Sequence, residues 1–194
     1  MNRRNFLMRT TTGAAALAVG FPVMAAAQQA AITGAVNGTQ RRPMRLDQEI
    51  EDLQERTFRW FEKVTDRKTG LTPDRWPTPS FCSVAAVGFA LTCWPVGVER
   101  GWMSRAEARE RTLTTLRFFH DLPQGPEASG TAGYKGFFYH FLDMETGLRY
   151  RTNELSTVDT ALLIGGMLFA ARYFDGRHAE EAEIRQKAQA IYER

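Results

Sequence analysis

Two carboxylates, Glu154 and Asp159, flank Ser156 in the stretch TNELSTVDT, and an aromatic segment, GFFYHFLD, lies just upstream of them. Cleaving a glycosidic bond requires one carboxylic acid to protonate the leaving oxygen. It also requires a second carboxylate to act as base or nucleophile. Aromatic rings supply flat apolar faces against which sugar rings can stack. Together these residues point to a polysaccharide or oligosaccharide partner. Glu154 and Asp159 are the candidate catalytic pair. Asp143, His140, Tyr139, Arg151 and Trp76 are candidate substrate contacts.

Each candidate has a plainer alternative. Glu154 reads equally as a solvated loop charge. Asp159 stands three residues after Ser156 and can complete a helix cap against the N-terminal dipole. Asp143 opens a turn, a position that Asp favours. His140 alternates with Tyr139 and Phe141, so on a regular strand it faces away from both. It can bind a sugar hydroxyl or serve as a structural histidine. Arg151 can hold the charge of Glu154 or touch substrate. Trp76, in a Pro-rich loop, is the tryptophan best placed for stacking; Trp60, Trp94 and Trp102 read as packing residues. The three histidines are not clustered with other ligands, so no metal motif is present and no cofactor is called for.

The elements that must position these residues are mostly helical. Apolar residues at Leu46, Ile50, Leu53, Phe61 and Val64 predict a first helix over residues 47–65 with those side chains on one face. Residues 84–92 are apolar nearly all round and predict a buried helix ended by Pro95. Ser104 and Glu107 form a capping box for a helix over 105–121, with Leu113, Leu116 and Phe119 inward. Residues 136–142 and 148–151 predict two strands joined through Gly147 as a hairpin. A helix over 157–173 follows, and Asp175-Gly176 separates it from a last helix from 179 onward. No repeat of ~34 residues is visible, which argues against a tetratricopeptide array. Cys82 and Cys93 flank a helix that would set them roughly 15 Å apart by helical rise, too far to bridge. They read as two buried thiols.

The N-terminus reads as an address. Arg3-Arg4 before Phe6-Leu7, a weak apolar run and Ala25-Ala26-Ala27 predict a twin-arginine signal peptide over 1–27, with a linker at 28–45. The run is too short for the ~20 residues that cross a bilayer. The expected location is therefore periplasmic or secreted, with no membrane partner once the signal is removed. The whole chain has 25 Lys+Arg against 22 Asp+Glu. Removing Arg3, Arg4 and Arg9 with the signal leaves the charges near balance, so the basic character gives no support to a nucleic-acid partner. The pattern from 179 to 194 is helical with no stop signal, so the sequence is expected to be a fragment of a longer protein.

Three segments resemble the glycoamylase-like family, which includes bacterial endo-β-1,2-glucanases. They are FCSVAAVGF followed by PVGVERGW, then TLTTLRFF, and then GFFYHFLD with ELSTVD. In order and spacing they are similar to the N-terminal half of that family's domain. The resemblance implies an all-α fold, an (α/α)6 toroid that is incomplete in this chain, with a short β-hairpin insertion and with residues 46–194 as its first half. It further implies an exported glycoside hydrolase acting on β-glucan, with β-1,2-linked chains as one substrate class. A truncated half is expected to be inactive alone and to present apolar helix faces to water. The alternatives are a non-catalytic carbohydrate-binding or degenerate fragment and, from another class, a helical interaction protein, which the aromatic hairpin beside Glu154 disfavours.

Overall fold

A computed structural model describes residues 46–194. The expected signal peptide at 1–27 and linker at 28–45 lie outside the described residues. Five helices carry the fold: α1 (Leu46–Val64), α2 (Val84–Glu99), α3 (Arg105–Asp121), α4 (Thr157–Tyr173) and α5 (Ala179–Tyr192). Four two-residue strands accompany them: β1 (Cys82–Ser83), β2 (Gly133–Tyr134), β3 (Phe137–Phe138) and β4 (Phe141–Leu142). The helices pack α2 on α4, α3 and α5 on each other, and α1 along α2. No described helix is long and apolar enough to cross a membrane.

The two expected caps form. Ser104 Oγ accepts from the Glu107 N–H at 3.1 Å, and Ser156 Oγ accepts from the Asp159 N–H at 3.1 Å. Leu113, Leu116 and Phe119 face inward from α3 as expected. Phe58, Trp94, Phe138, Leu163 and Phe174 join them in the core.

α2 and α4 meet through glycines. A Cβ on Gly88 would lie 2.3 Å from the Leu162 carbonyl oxygen, and one on Gly166 would lie 2.2 Å from the Gly88 carbonyl oxygen. The two backbones therefore touch where side chains would otherwise hold helices 8–10 Å apart. This contact fixes the N-terminal end of α4, and Asp159 with it.

Three sequence expectations need correction. Pro95 does not end α2; it lies inside the helix, which continues to Glu99. A proline ring removes one backbone N–H without preventing the chain from continuing, because tertiary packing can hold the helix on both sides. The stop is Gly101, at φ +73, where a residue with a side chain would be strained. Second, the apolar stripe of α1 is covered only in its second half: Leu46 (70% exposed), Ile50 and Leu53 face solvent, Phe61 packs against the core, and the buried anchor, Phe58, lies outside the stripe. Phe58 lies 5.5 Å from Trp102 and edge-on to Trp94 at 6.2 Å, ring centroid to centroid.

Third, the hairpin is wired differently. β3 pairs antiparallel with β2 across a tight turn at Lys135 and Gly136, both at positive φ. β4 pairs with β1, which places Ser83 opposite Phe141. The expected second strand at 148–151 contributes only a single bridge, Leu142 with Arg149. The reason is a side chain acting as backbone. The Asn153 amide accepts from Phe141 N–H at 3.1 Å and donates to Phe141 O at 3.1 Å, occupying groups that a strand would use.

Cys82 and Cys93 are unpaired, as the helix between them requires. Cys82 is fully enclosed, and Cys93 is half-buried rather than buried. Burial pushes the Cys82 thiol up to about 12 and the Cys93 thiol up to about 11.

A charged latch joins α3 to α5. Arg105 donates through Nε and Nη2 to both oxygens of Glu181, each at 2.9 Å, and the Glu181 side chain is 3% exposed. The Gly176 N–H donates to the same carboxylate at 2.7 Å. Arg105 holds this carboxyl below its usual 4.5. Because the folded value is the lower one, the stabilisation is complete above about pH 4.5 and is lost as pH falls through the folded value. Thermal unfolding followed from pH 7 to pH 3 is expected to show a smaller loss of midpoint in Glu181→Gln than in the unaltered chain. Equal losses would show that the latch carries no pH dependence.

Candidate functional site

The strand from Phe138 to Leu142 is held on both edges. On one side, Val84 N–H donates to His140 O at 3.2 Å. On the other, His140 N–H donates to Glu154 O, and Ser156 N–H donates to Phe138 O, both at 3.0 Å. Residues 154–156 therefore run beside the aromatic segment, and Ser156 then starts α4. This local route places Glu154, Asp159 and His140 together.

The contacts are direct. His140 Nδ1 lies 2.8 Å from Glu154 Oε1, and His140 Nε2 lies 3.5 Å from Asp159 Oδ1. Ser156 Oγ donates to the other oxygen, Oδ2, of Asp159. The Glu154 side chain is 66% exposed, whereas that of Asp159 is 16% exposed. Glu154's own backbone N–H, and after it the His140 imidazole, hold the Glu154 carboxyl below its usual range. A general acid needs the opposite displacement. Glu154 is thus suited to act as a base or nucleophile, or as an acceptor for a sugar hydroxyl. Asp159 completes the cap of α4, the structural role weighed from the sequence, and it also faces the histidine.

His140 does not face away from Phe141 as regular alternation requires. The chain bends at His140, and its ring stacks on Phe141 at 3.8 Å between centroids and 22° between planes. Phe141 in turn meets Phe81 at 4.3 Å, and Phe81 meets Tyr150 at 4.9 Å. The result is a row of half-buried rings leading away from the carboxylates. Phe81 and Tyr150 border a cavity of about 390 Å³ that Arg75, Ser80, Asp143 and Glu145 also line.

The other expected contacts are distributed unevenly. Asp143 is the turn residue its type suggests: its Oδ1 accepts from Glu145 N–H, Thr146 N–H and Thr146 Oγ1 at 2.9–3.0 Å. Those bonds, first the one from Thr146 N–H, lower its carboxyl. Tyr139 is a correction. It is buried beneath the Arg149 guanidinium, 4.3 Å above its ring, and offers no open face to a ligand. Arg151 covers Tyr150 at 5.1 Å, and His140 rather than Arg151 is the partner of Glu154. Arg151 sits at φ 53, which turns its side chain with the bend. Trp76 is 52% exposed with the Lys63 ammonium 5.3 Å over its ring, and no described contact joins it to His140.

Sequence reasoning missed Phe81, Phe141, Tyr150 and Asn153. Phe81 comes from a different segment, so only tertiary pairing of β1 with β4 brings it in. Asn153 was legible only as a polar loop residue. Among the described residues no group of His, Cys, Asp and Glu has the arrangement of a metal centre. A larger opening of about 680 Å³ between α1, α2 and α4 is lined mainly by apolar residues, including Leu53, Val96 and Phe169. It shares no lining residue with the carboxylate site.

No family model matches the chain. It is 26% identical over 156 residues to an exo β-1,2-glucooligosaccharide sophorohydrolase (non-reducing end) of Parabacteroides distasonis, covering 77% of this chain and 20% of that protein. The fold is similar to that of a β-1,2-glucanase from Parabacteroides distasonis, with TM-score 0.67, 26% identity, and coverage of 77% of this chain and 21% of that one. It is also similar to an endo-β-1,2-glucanase of Chitinophaga pinensis solved with sophorotriose and glucose, with TM-score 0.65 and 21% identity over 77% of this chain and 36% of that one. The chain thus spans about a fifth of the length of the curated relative it matches. Over about 77% of its length it is similar to β-1,2-glucanases, matching the glycoamylase-like resemblance carried by its own motifs.

Proposed function

We propose that the chain belongs to an exported glycoside hydrolase that acts on β-1,2-linked glucan, with Glu154 and Asp159 at the reacting bond. The observation that carries this reading is the juxtaposition of the two carboxylates on one histidine, at the head of a row of aromatic rings. The similarity to β-1,2-glucanases supports a β-1,2 linkage. In this reading the five helices are part of an (α/α)6 toroid, and the exposed apolar residues of α1, α2 and α4 face its further helices. Glu154 acts as base, nucleophile or hydroxyl acceptor, and Asp143 and Tyr150 border the path of the sugar chain. The protein carrying this chain is expected to release short β-1,2-linked oligosaccharides from β-1,2-glucan, read by chromatography of the products. Binding of the glucan without turnover would instead support a carbohydrate-binding role.

The same reading places the protein outside the cytoplasm. Arg3→Lys with Arg4→Lys is expected to abolish the periplasmic fraction on cell fractionation, because the twin-arginine route reads the arginine pair. An unchanged periplasmic fraction would remove that route.

A further inference from the structure

The guanidinium of Arg149 is bonded to backbone. Its Nε donates to the Asn153 carbonyl oxygen at 2.9 Å, and its Nη2 donates to the same oxygen. Its Nη1 donates to Ala128 O at 3.1 Å, and the guanidinium carbon lies 4.3 Å from the centroid of the buried Tyr139 ring. These partners are carbonyls rather than carboxylates, so the charge strengthens bonds that hold the chain's path. Only a planar fork can serve two carbonyls while lying on a ring; a lysine ammonium is a single point.

The oxygen gripped by the fork belongs to the peptide that leads into Glu154. The next carbonyl, that of Glu154 itself, accepts from His140 N–H at 3.0 Å. Both peptide groups flanking the Glu154 Cα are therefore tied, and together they set the direction in which the side chain leaves the backbone. The bend before Glu154 needs such a tie. Arg151 within it sits at φ 53, a costly region for a residue with a side chain. The Asn153 amide fastens the other end of the bend, donating to Tyr150 O at 2.7 Å.

We propose that Arg149 is a positioning residue that aims Glu154 by holding the Asn153–Glu154 peptide. The proposal rests on the reading of Glu154 as a reacting carboxylate. The Glu154 side chain is exposed, so packing does not orient it; its root in the backbone is what the fold fixes. Misplacing a reacting group by about 1 Å costs on the order of 10²-fold in rate. The cap of α4 has its own bonds at Ser156 and does not depend on the fork.

Arg149→Lys keeps the positive charge and a stem to cover Tyr139 but loses the fork. In the complete enzyme it is expected to lower kcat on β-1,2-glucan by about 10–10²-fold. KM is expected to stay within about twofold. In a Glu154→Gln background the same change is expected to cost less than about twofold, because the group it acts through is already gone. Equal losses in the two backgrounds would show that Arg149 only supports the fold, and would overturn the proposal. So would an unchanged kcat. Hydrogen exchange followed by mass spectrometry reads the tie without substrate. Exchange at the His140 amide, which donates to Glu154 O, is expected to rise about tenfold in Arg149→Lys while the amides of α2 are unchanged. Unchanged exchange at His140 would overturn the tie whatever the activity. If Glu154→Gln alone left activity near that of the unaltered enzyme, the assigned reaction would fall and the exchange result would stand, so the two failures are distinguishable.

Discussion

Glu154→Gln is expected to lower kcat on β-1,2-glucan by about 10²–10⁴-fold in the complete enzyme, the usual range for removing a group that exchanges protons in the transition state. The amide keeps the size of the side chain and one acceptor for His140 Nδ1, so packing changes little. What it deletes is the negative charge that the local N–H and the imidazole stabilise. Because the folded carboxyl titrates below its usual 4.5, the charged form survives into acid. The acidic limb of the pH–rate profile is therefore expected to lie below that value and to vanish in the Gln variant. His140→Gln, which removes one of the two donors, is expected to move the limb upward without abolishing it. Glu110→Gln, exposed on α3, is the control and is expected to match the unaltered enzyme. A fall of less than about fivefold for Glu154→Gln, with circular dichroism unchanged, would transfer the reaction to Asp159 or to residues beyond this chain.

The second large effect is structural, and its sign reverses between neighbours. Gly166→Ala is expected to destabilise the fold by about 1–3 kcal/mol, the usual cost of overpacking. The added carbon would sit 2.2 Å from the Gly88 carbonyl oxygen, and a backbone atom cannot swing aside as a side chain can. Gly165→Ala, one residue earlier, meets nothing within 4 Å. There alanine only reduces the freedom of the unfolded chain and improves helix propensity, so the change is expected to stabilise by about 0.5–1 kcal/mol. Urea unfolding of both variants decides the matter. Equal effects of the two would mean that α2 and α4 are not in backbone contact. The consequence reaches the site, since forcing α4 away from α2 would also carry Asp159 away from His140.

Local signals were readable from the sequence, and cross-chain ones were not. Ser104 and Ser156 cap their helices because capping depends on residues three apart in the same segment. Helix α4 and its acidic first turn followed from the same rule. Pro95 misled because its local meaning, a break, yielded to the burial of Trp94, Pro95 and Gly97 around it. The α1 stripe misled because amphipathic spacing marks an apolar face without saying whether anything covers it. At the site, the candidate carboxylates were visible by type and position. The bend that stacks His140 on Phe141, and the bridge it makes between Glu154 and Asp159, depend on strand pairing over long sequence distance. The burial of Tyr139 was hidden for the same reason. It lies under Arg149 from the far side of the turn, whereas Arg151 covers its own neighbour Tyr150 and leaves the place beside Glu154 to His140.

The two unpaired cysteines carry an experimental consequence. Disulfide reagents react with the thiolate, and at pH 7 a thiol titrating near 12 is ionised in only about one molecule in 10⁵. In the folded chain Cys82 is fully enclosed and its thiol is held in the protonated form, so disulfide reagents find little to engage there. Once the chain opens, the thiol returns to its ordinary reactivity. With Cys93 replaced by serine, the rate at which a coloured thiol reagent consumes Cys82 therefore measures how often the core around β1 and α2 opens, a clock that needs no label attached to the chain.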